Sequence, residues 1–480
     1  MLTSPARART RTTAAARQPA LSGPLPDEDA TRAVQGPARP GPVPGPREAA
    51  GPRPARGPDR GSLRRPLTVL AAGTFAIGTD AFVIGGVLPA VSRTLGVSTG
   101  SAGFLVTAFA IAYALGAPIL AVAAARLPRR ALLVSALALF AAANMLAAVA
   151  PGYATVLIAR VLAALAAAAF VPAASAAASS LAPAEYRGRA LAAVVAGMTV
   201  AQVLGVPFGA FVGASLGWRY TFIFIAALGA AAALAIRLWL PRVQSPAPAS
   251  LRQRLRLAAR PSTWPLLLQT TLAMAAGFSV LTYIGPVLSQ AGGYHGAMIS
   301  MALLVFGIAS VAGSTLGGRL TDRYGAFPVV AGGLAALTLA MLAVTAATAA
   351  SAGWPALLAL GAWGLGGWTF PPSQQHRLIA TAPDEANVAL GLNSSAIYAG
   401  AAIGAAIGGL VLPAGTALVP ATAAALAACA IICLAAQRRR EHPDRQPARP
   451  KSPRRTQLSP ATPPRSLQRQ NGQSAPANRT

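Results

Sequence analysis

Two oppositely charged residues lie in a chain whose body is otherwise apolar. Asp80 falls in the segment GTDAFVIGGVLP, and no other charged residue occurs from Pro66 to Ala90. Arg160 falls in the segment LIARVLAALAAAAFVP and is the one basic residue placed deep in an apolar run. Charged side chains at lipid depth are costly and commonly belong to ion pathways or proton relays. These residue types therefore point to proton transfer and charge pairing inside a membrane.

Twelve apolar segments of membrane-spanning length would position this pair. A bilayer core of roughly 30 Å needs about 20 apolar residues per helix. With that window, the segments are 66–90, 100–125, 131–150, 153–181, 188–213, 219–240, 263–289, 297–318, 327–349, 354–377, 386–411 and 415–436. We therefore expect an all-α membrane protein with twelve transmembrane helices in two pseudo-symmetric six-helix bundles around a central cavity.

The composition agrees with a multi-pass membrane protein. Of the 480 residues, 54% are hydrophobic and 11% are charged, whereas soluble domains carry about 25% charged residues. The net charge of +28 would also fit a nucleic-acid-binding protein. However, 23 of the 40 basic residues lie in residues 1–65 and 437–480, outside the apolar body. We therefore expect no nucleic-acid partner.

The longest polar interruption in the body, residues 241–262, divides the spans six and six. The two terminal segments lack apolar periodicity and are rich in Pro, Gly, Ser and Arg, which favours disorder. The expected domains are a disordered basic N-terminal tail (1–65), an N-terminal six-helix bundle (66–240), a cytoplasmic basic linker (241–262), a C-terminal six-helix bundle (263–436) and a disordered basic C-terminal tail (437–480).

The basic residues between spans indicate the orientation of the chain. With both termini in the cytoplasm, the inner connections hold fourteen arginines and the outer connections hold only Arg93 and Arg219. Cytoplasmic loops of membrane proteins carry an excess of Lys and Arg. We therefore expect a multi-pass protein of the cell (plasma) membrane with cytoplasmic N- and C-termini.

The helical rise places the two intramembrane charges at similar depths. Span 1 runs outward, and Asp80 lies ten residues before its outer end, which is about 15 Å. Span 4 runs inward, and Arg160 lies seven residues from its outer end, which is about 10 Å. The two side chains can share a cavity, with Asp80 as the proton carrier and Arg160 as its partner or competitor. Alternatively, Asp80 only hydrogen-bonds a neighbouring helix and Arg160 extends to the outer surface.

The two halves of the chain also contain a similar sequence at equivalent positions. The link after span 8 reads GGRLTDRYG (317–325), and the link after span 2 reads AARLPRR (124–130), 193 residues earlier. Duplication of a six-helix unit is common in secondary transporters. GGRLTDRYG resembles the inner-loop signature of the major facilitator superfamily, with matches at Gly318, Leu320, Asp322, Arg323 and Gly325. The first copy departs from the signature, with Arg129 where the family expects Asp. The resemblance covers about residues 66–436.

Further motifs narrow the resemblance. The segment around Arg160 resembles the antiporter motif built on a membrane arginine. VLGVPFGAFVGASLGWRYTF in span 5 is similar to the Gly/Pro-rich motif of drug:proton antiporters, with matches at Gly205, Pro207, Gly209 and Gly213. With GTDAFVIGGVLP, these segments look like the exporter branch that includes chloramphenicol-resistance and arabinose-efflux proteins. That branch commonly has its acid one place later, where this chain has Ala81. The glycines serve either to prevent a leak or as a packing seam.

The signature residue Asp322 has a separate expected role. It lies at the inner end of span 8, where it can bind the positive N-terminal end of span 5 beside Arg187 or Arg189. Such a contact would latch the inner side shut. The alternative is a solvated loop charge.

An amphiphilic small molecule suits a cavity lined by apolar and aromatic groups with few polar anchors. Each candidate also fits a packing or membrane-boundary role. The candidate cavity residues are Tyr283, Asn393, Gln202, Phe109, Tyr113, Gln269 and Trp363, with Trp368 and Tyr398 as further aromatic candidates.

The resulting expectation is proton-coupled drug efflux by a monomer whose partners are protons, a small molecule and lipid. The alternatives are export of a sugar or another metabolite and, in a different class, a non-transporting receptor on the same fold. The sequence contains no HExxH motif, no phosphate-binding Gly-Lys-Ser/Thr loop and no second intramembrane carboxylate. We therefore expect no enzymatic activity, no metal and no cofactor.

Overall fold

The computed structural model describes residues 60–124, 127–242 and 250–441. Residues 1–59 and 442–480 of the predicted tails lie outside the described residues, as do Arg126 and linker residues 243–249. The described part of the chain contains helices and turns without any strand. The helices are α1 (Arg60–Leu95), α2 (Thr99–Ala123), α3 (Arg129–Ala148), α4 (Tyr153–Leu181), α5 (Arg187–Val200), α6 (Val206–Ser215), α7 (Trp218–Trp239), α8 (Leu251–Ala258), α9 (Trp264–Thr282), α10 (Ile284–Gly292), α11 (Ala297–Tyr324), α12 (Ala326–Ala349), α13 (Gly353–Ala362), α14 (Phe370–Thr381), α15 (Ala386–Val411) and α16 (Leu418–Glu441).

The first and last helices extend beyond the apolar windows that predicted them. Residues 60–65 and 437–441, expected in the tails, belong to α1 and α16. Hydropathy marks only the part of a helix that lipid surrounds. The backbone hydrogen bonds of a helix continue past that part because they do not depend on side-chain polarity.

Eleven uninterrupted helical stretches among the described residues are long and apolar enough to cross a membrane. The predicted span 354–377 is not one of them, because it is interrupted. A π turn at Trp363–Gly367 continues α13, and the non-helical turn residues Trp368 and Thr369 then separate it from α14, which begins at Phe370. Glycine weakens a helix, and the prolines at 371 and 372 provide no backbone N–H. The all-helical prediction is confirmed. The described residues provide eleven of the twelve predicted spans as continuous helices, and the predicted span 263–289 ends early, because a turn at Tyr283 separates α9 from α10.

The helices pack as two related bundles. In the first half, α1 packs against α5, α6 and α7, while α3 packs against α4 and α7. In the second half, α9 packs against α15 and α16, while α12 packs against α13, α14 and α16. When the helices are numbered by membrane span, adding six to each span number of a first-half pair gives the corresponding pair of the second half. Between the halves, α2 packs against α15 and α11 packs against α6. These two contacts are also equivalent, because a shift of six spans relates α2 to α11 and α6 to α15. The fold is therefore two pseudo-symmetric bundles.

The turns lie at two ends of the molecule, which we call the Gly96 end and the Gly325 end after a turn glycine in each. Both glycines have positive φ, 66° and 84°, which residues with a Cβ rarely adopt. The bundles contact each other near the Gly96 end, where other glycines permit close approach. Gly85 on α1 lies against the carbonyl of Leu281 on α9.

Large apolar side chains remain exposed on the outside of both bundles. Leu115, Leu339 and Leu410 are 63%, 66% and 71% exposed. Exposed apolar area of this extent marks a membrane or protein contact, and it lies on helices long enough to span a bilayer. Lipid is therefore the natural covering of this surface.

Candidate proton and substrate site

Helix α1 carries Asp80, and three glycines of the α5–α6 stretch hold it close. Gly205 lies against Thr79, and Gly213 lies against Val87. Between them, a Cβ added to Gly209 would come within 2.8 Å of Val83. The spacing of four residues repeats on both helices, so the glycines form one continuous contact strip. The predicted packing seam is therefore present, and it faces the helix that bears the acid.

Pro207 is the second residue of α6, which begins at Val206 directly after a π turn at Ala201–Gly205. A proline provides no backbone N–H, and its ring clashes with the preceding turn of a regular α-helix. π turns in helices are frequent at functional sites. Here the turn lets the span pass Pro207 without breaking, so the glycine strip stays in register with α1.

The Asp80–Arg160 pair is the centre of the candidate site. Arg160 Nη1 donates a hydrogen bond to Asp80 Oδ1 at 2.6 Å. The two side chains are 1% and 0% exposed, so water solvates neither charge. Removing two charges from water costs several kcal/mol per ion, which close pairing offsets only in part. The structure therefore brings together the two residues that the sequence placed at similar depths.

Aromatic rings of two other helices hold the guanidinium in place. The Cζ atom of Arg160 lies 4.3 Å from the ring centroid of Phe109 on α2 and 6.0 Å from that of Phe222 on α7. Cation–π attraction is strongest when the cation is desolvated. Arg160 thus points into the bundle and does not extend to the surface.

One polar atom on each side of the ion pair has no hydrogen-bond partner. Asp80 Oδ2 and Arg160 Nε are buried and have no hydrogen-bond partner among the described residues. Most buried polar atoms in proteins are paired, and an exception calls for an explanation. A carboxylate oxygen without a donor can accept a proton or a donor group of a ligand, and the free N–H can donate to an acceptor.

The two bundles meet beside this pair through stacked tyrosines. The rings of Tyr113 on α2 and Tyr398 on α15 lie 3.6 Å apart between centroids, at an interplanar angle of 25°. Phe109 lies 6.2 Å from Tyr398. The same aromatic group therefore touches Arg160 on one side and joins the bundles on the other.

A second aromatic group includes the predicted residue Trp363. Its ring lies 4.5 Å from that of Phe306 on α11. Together with Phe278 and Trp368, it lines an apolar pocket with a volume of about 20 Å³, room for roughly one water molecule. Phe278 also stacks on Phe82 of α1 at 5.6 Å, which connects this group to the helix that carries Asp80.

Three of the predicted cavity residues have protein partners for their polar atoms. Tyr283 donates its hydroxyl to the Ala405 carbonyl at 2.9 Å. Asn393 Oδ1 accepts a hydrogen bond from the Thr270 hydroxyl at 3.0 Å. Gln269 is fully buried and belongs to a polar network with Gln437 and Arg377. The remaining amide candidate, Gln202, is half-buried in the π turn of span 5.

The polar network joins three helices of the C-terminal bundle. Gln269 Nε2 on α9 donates to Gln437 Oε1 on α16 at 2.8 Å. Arg377 on α14 donates to Gln269 Oε1 at 3.0 Å and to Gln437 Oε1 at 2.9 Å. Gln374 Nε2 donates to the Leu266 carbonyl at 2.8 Å. The side chain of Gln269 therefore links α9 to α14 and α16 through hydrogen bonds.

The signature residues lie at the Gly325 end. Asp322 and Arg323 are exposed, as are Arg187 and Arg189. The ion pairs Asp80–Arg160 and Arg260–Glu385 do not involve Asp322, and no ion pair joins Asp322 to Arg187 or Arg189 among the described residues, so the expected Asp322 latch is not formed in this conformation. Gly325 ends α11 with positive φ, while a Cβ on Gly318 would meet nothing within 4 Å.

Sequence reasoning did not identify Phe82, Phe278, Gln374 or Gln437. Phe82 lies two residues after Asp80, and this closeness to the acid could have identified it as a candidate site residue. The two glutamines lie close to arginines at the ends of apolar segments, where their polarity fits solvent equally well. Nothing in the local sequence separates a buried amide there from a solvated one.

The site lies in an all-helical membrane fold of two related bundles, an architecture of secondary transporters. A family model described as Major Facilitator Superfamily matches residues 70–376 and 267–472. The chain belongs to the major facilitator superfamily and is a membrane transporter.

Several proteins of known sequence or structure are similar to this chain. The Uncharacterized MFS-type transporter YbcL of Bacillus subtilis is 35% identical over 345 residues, which is 72% of this chain and 88% of that protein. The Chloramphenicol resistance protein of Streptomyces lividans is 37% identical over 299 residues, 62% of this chain and 73% of that protein. A solved structure of a bacterial homolog to the human lysosomal transporter Spinster, in an inward-facing and occupied conformation, has a TM-score of 0.63 at 19% identity and covers 78% of this chain and 96% of its own.

Proposed function

We propose that this protein is a proton-coupled exporter of the plasma membrane that moves a small amphiphilic drug, of the chloramphenicol type, by alternating access. The observation that carries the proposal is the buried Asp80–Arg160 pair with one carboxylate oxygen left free. A membrane-buried acid beside the contact between two bundles favours proton coupling, because acids within membrane spans commonly belong to proton relays.

In the proposed cycle, Asp80 Oδ2 accepts the proton. Burial favours the neutral carboxyl group, whereas the nearby guanidinium favours the carboxylate. A movement that lengthens the 2.6 Å contact with Arg160 therefore promotes proton uptake, and restoration of the contact promotes release. Arg160 acts as the partner whose distance sets the proton affinity.

The orientation of the cycle follows from the arginine distribution between the spans. The Gly325 end faces the cytoplasm, together with both termini, and the Gly96 end faces outward. The bundles are in close contact near the Gly96 end, which corresponds to a state closed toward the outside. The drug enters from the cytoplasmic side of a monomer and leaves when the contacts at the Gly96 end open.

The aromatic groups around the ion pair support a weakly polar substrate. Phe109, Tyr113 and Tyr398 present ring faces, while Asp80 Oδ2 and Arg160 Nε provide one acceptor and one donor. Ligand sites of this kind are mainly apolar with a few orienting polar groups. A sugar would require several more free polar partners than these residues offer, and in the described structure Asn393 and Gln269 already have partners.

The test is drug accumulation in liposomes that contain the purified protein and have an acid interior. Labelled chloramphenicol should accumulate in wild-type vesicles, and Asp80→Asn should abolish the accumulation while it preserves exchange of labelled for unlabelled drug. Asp384→Asn is the matched control, because Asp384 is an exposed acid in a turn. Undiminished pH-driven accumulation by Asp80→Asn would refute the coupling role. Accumulation of a labelled sugar instead would identify a metabolite exporter, and no flux of any solute would indicate a receptor.

A further inference from the structure

Helix α8 is a short basic element that the proposed transport cycle does not use. Its sequence, LRQRLRLA, contains three arginines and no acid. Its N-terminus is capped by Ser250, whose hydroxyl accepts a hydrogen bond from the Gln253 backbone N–H at 3.2 Å. Such a cap satisfies one of the free N–H groups of the first turn. The segment after residue 250 is therefore an ordered helix within the predicted basic linker.

One face of α8 is fixed to the C-terminal bundle. Leu257 is fully buried in an apolar cluster with residues of α9, α14 and α15. Just beyond the helix, Arg260 Nη1 pairs with Glu385 Oε2 at 2.6 Å. Gln253 Nε2 donates to the other carboxylate oxygen of Glu385 at 3.4 Å. Because Glu385 directly precedes α15, α8 is attached to the start of the helix that carries Tyr398.

The opposite face of α8 is exposed and combines apolar with basic side chains. Leu251 and Leu255 are 41% and 61% exposed, and their spacing of four residues places them on one side of the helix. Arg252 and Arg256 have the same spacing and are also exposed. Arg254 differs, because it is half-buried, and this burial lowers the pKa of its guanidinium from the ordinary arginine value.

Two exposed tryptophans indicate the level at which α8 lies. Trp239 ends α7 and Trp264 begins α9, and they are 55% and 51% exposed. Tryptophan is enriched where a membrane meets water, because its ring is apolar and its N–H is polar. The chain between these two residues therefore starts and ends at the lipid headgroup level.

We propose that the exposed face of α8 binds anionic phospholipid of the surrounding bilayer. Leu251 and Leu255 enter the boundary of the acyl region, while Arg252 and Arg256 bind headgroup phosphates. Interfacial helices combine these two side-chain types, and guanidinium groups form paired hydrogen bonds with phosphate oxygens. A zwitterionic lipid would cover the leucines but leave the excess positive charge uncompensated.

The proposal is tested by energy transfer from α8 to labelled lipid. A donor dye is attached at Ala259→Cys, an exposed position next to α8, in full-length protein with Cys429→Ser and Cys433→Ser. The protein is reconstituted into phosphatidylcholine vesicles that contain acceptor-labelled phosphatidylglycerol or, separately, acceptor-labelled phosphatidylcholine. We expect phosphatidylglycerol to be enriched near the dye by about fivefold per arginine at the surface. Enrichment should decrease as salt shortens the electrostatic range.

Three variants separate the contributions of charge and apolar area. Arg252→Gln with Arg256→Gln should lower the enrichment roughly tenfold or more, whereas Arg64→Gln with Arg65→Gln, two exposed arginines at the start of α1, should leave most of it. Leu251→Ser with Leu255→Ser should reduce transfer to both lipids by drawing the dye away from the bilayer. Equal transfer to both lipids in the wild type would overturn the proposal, as would equal losses in the two arginine variants. Drug flux is not read in this assay, so its outcome is independent of the proposed export.

Discussion

The ring of Tyr113 in the N-terminal bundle stacks on the ring of Tyr398 in the C-terminal bundle at 3.6 Å between centroids. Both rings are buried, with side chains 1% and 7% exposed. The stack lies beside Phe109, which contacts Arg160. Separation of the bundles at this point therefore requires the stack to break next to the ion pair.

The Tyr113–Tyr398 stack should couple the two bundles measurably. A double-mutant cycle with Tyr113→Leu and Tyr398→Leu should give an interaction of about 0.5–1.5 kcal/mol in the free energy of unfolding, as for other aromatic pairs. Chemical unfolding of the purified protein in detergent measures it. Tyr113→Phe and Tyr398→Phe retain both rings and serve as controls. Strictly additive losses from the leucine variants would show that the rings do not stabilise one another.

Removal of Arg160 should destabilise the protein through the acid that remains. In Arg160→Leu, Asp80 stays buried without its counterion, and breaking a buried pair in this way costs about 3–5 kcal/mol. A proton on the lone carboxylate removes the unpaired charge, so the loss should be larger at alkaline than at acid pH. Thermal unfolding across pH measures this dependence. Asp80→Asn combined with Arg160→Leu should recover stability and abolish the pH dependence. No recovery in the double variant would assign the loss to packing alone.

Gly103→Ala should favour a state that is open at the Gly96 end. Gly103 lies directly against the Tyr283 hydroxyl oxygen, and an added methyl group in a close contact typically costs about 1–3 kcal/mol. Gly332→Ala is the matched control, because a Cβ there meets nothing within 4 Å. Spin labels at Arg93→Cys and Ala414→Cys, in protein with Cys429→Ser and Cys433→Ser, report the distance between the bundles. An unchanged distance distribution in Gly103→Ala would indicate that Tyr283 simply moves aside.

Gln374→Leu should destabilise the C-terminal bundle. The Gln374 amide donates to the Leu266 carbonyl and to Gln269, and its oxygen accepts from Arg377 at 3.3 Å. Loss of a partner from a buried network costs about 1–3 kcal/mol. Thermal unfolding in detergent measures the change. Gln375→Leu, at the adjacent half-buried position, should change stability by far less. Similar losses in both variants would mean that the network contributes little.

The approach of Asp80 and Arg160 could be predicted because the helical rise is constant. Once the spans were assigned, residue number gave depth, and depth placed both charges at one level. The sequence also supplied the glycines of span 5, because small residues at regular spacing indicate a helix contact. The structure adds that their partner is α1, which only the three-dimensional packing determines.

The broken span and the glutamine network could not be predicted in this way. Hydropathy measures the length of an apolar run, and it does not register the backbone hydrogen bonds that change around Trp363–Gly367. Gln437 was placed in a solvated tail because arginines follow it directly. Its burial depends on Gln269 and Arg377, which are distant in sequence, so no local pattern records it.

The net charge of the buried Asp80–Arg160 pair determines how the membrane voltage acts on the protein. Asp80 and Arg160 together carry no net charge when the acid is ionised, and one positive charge when it holds a proton. In the proposed cycle, the membrane voltage therefore acts on the protonated carrier and not on the proton-free carrier that holds the drug, with about 2.3 kcal/mol for each charge and 100 mV. If the proposed cycle holds, export of an uncharged molecule generates an inward current, and a cell with a negative interior would expel the molecule even with equal pH on both sides.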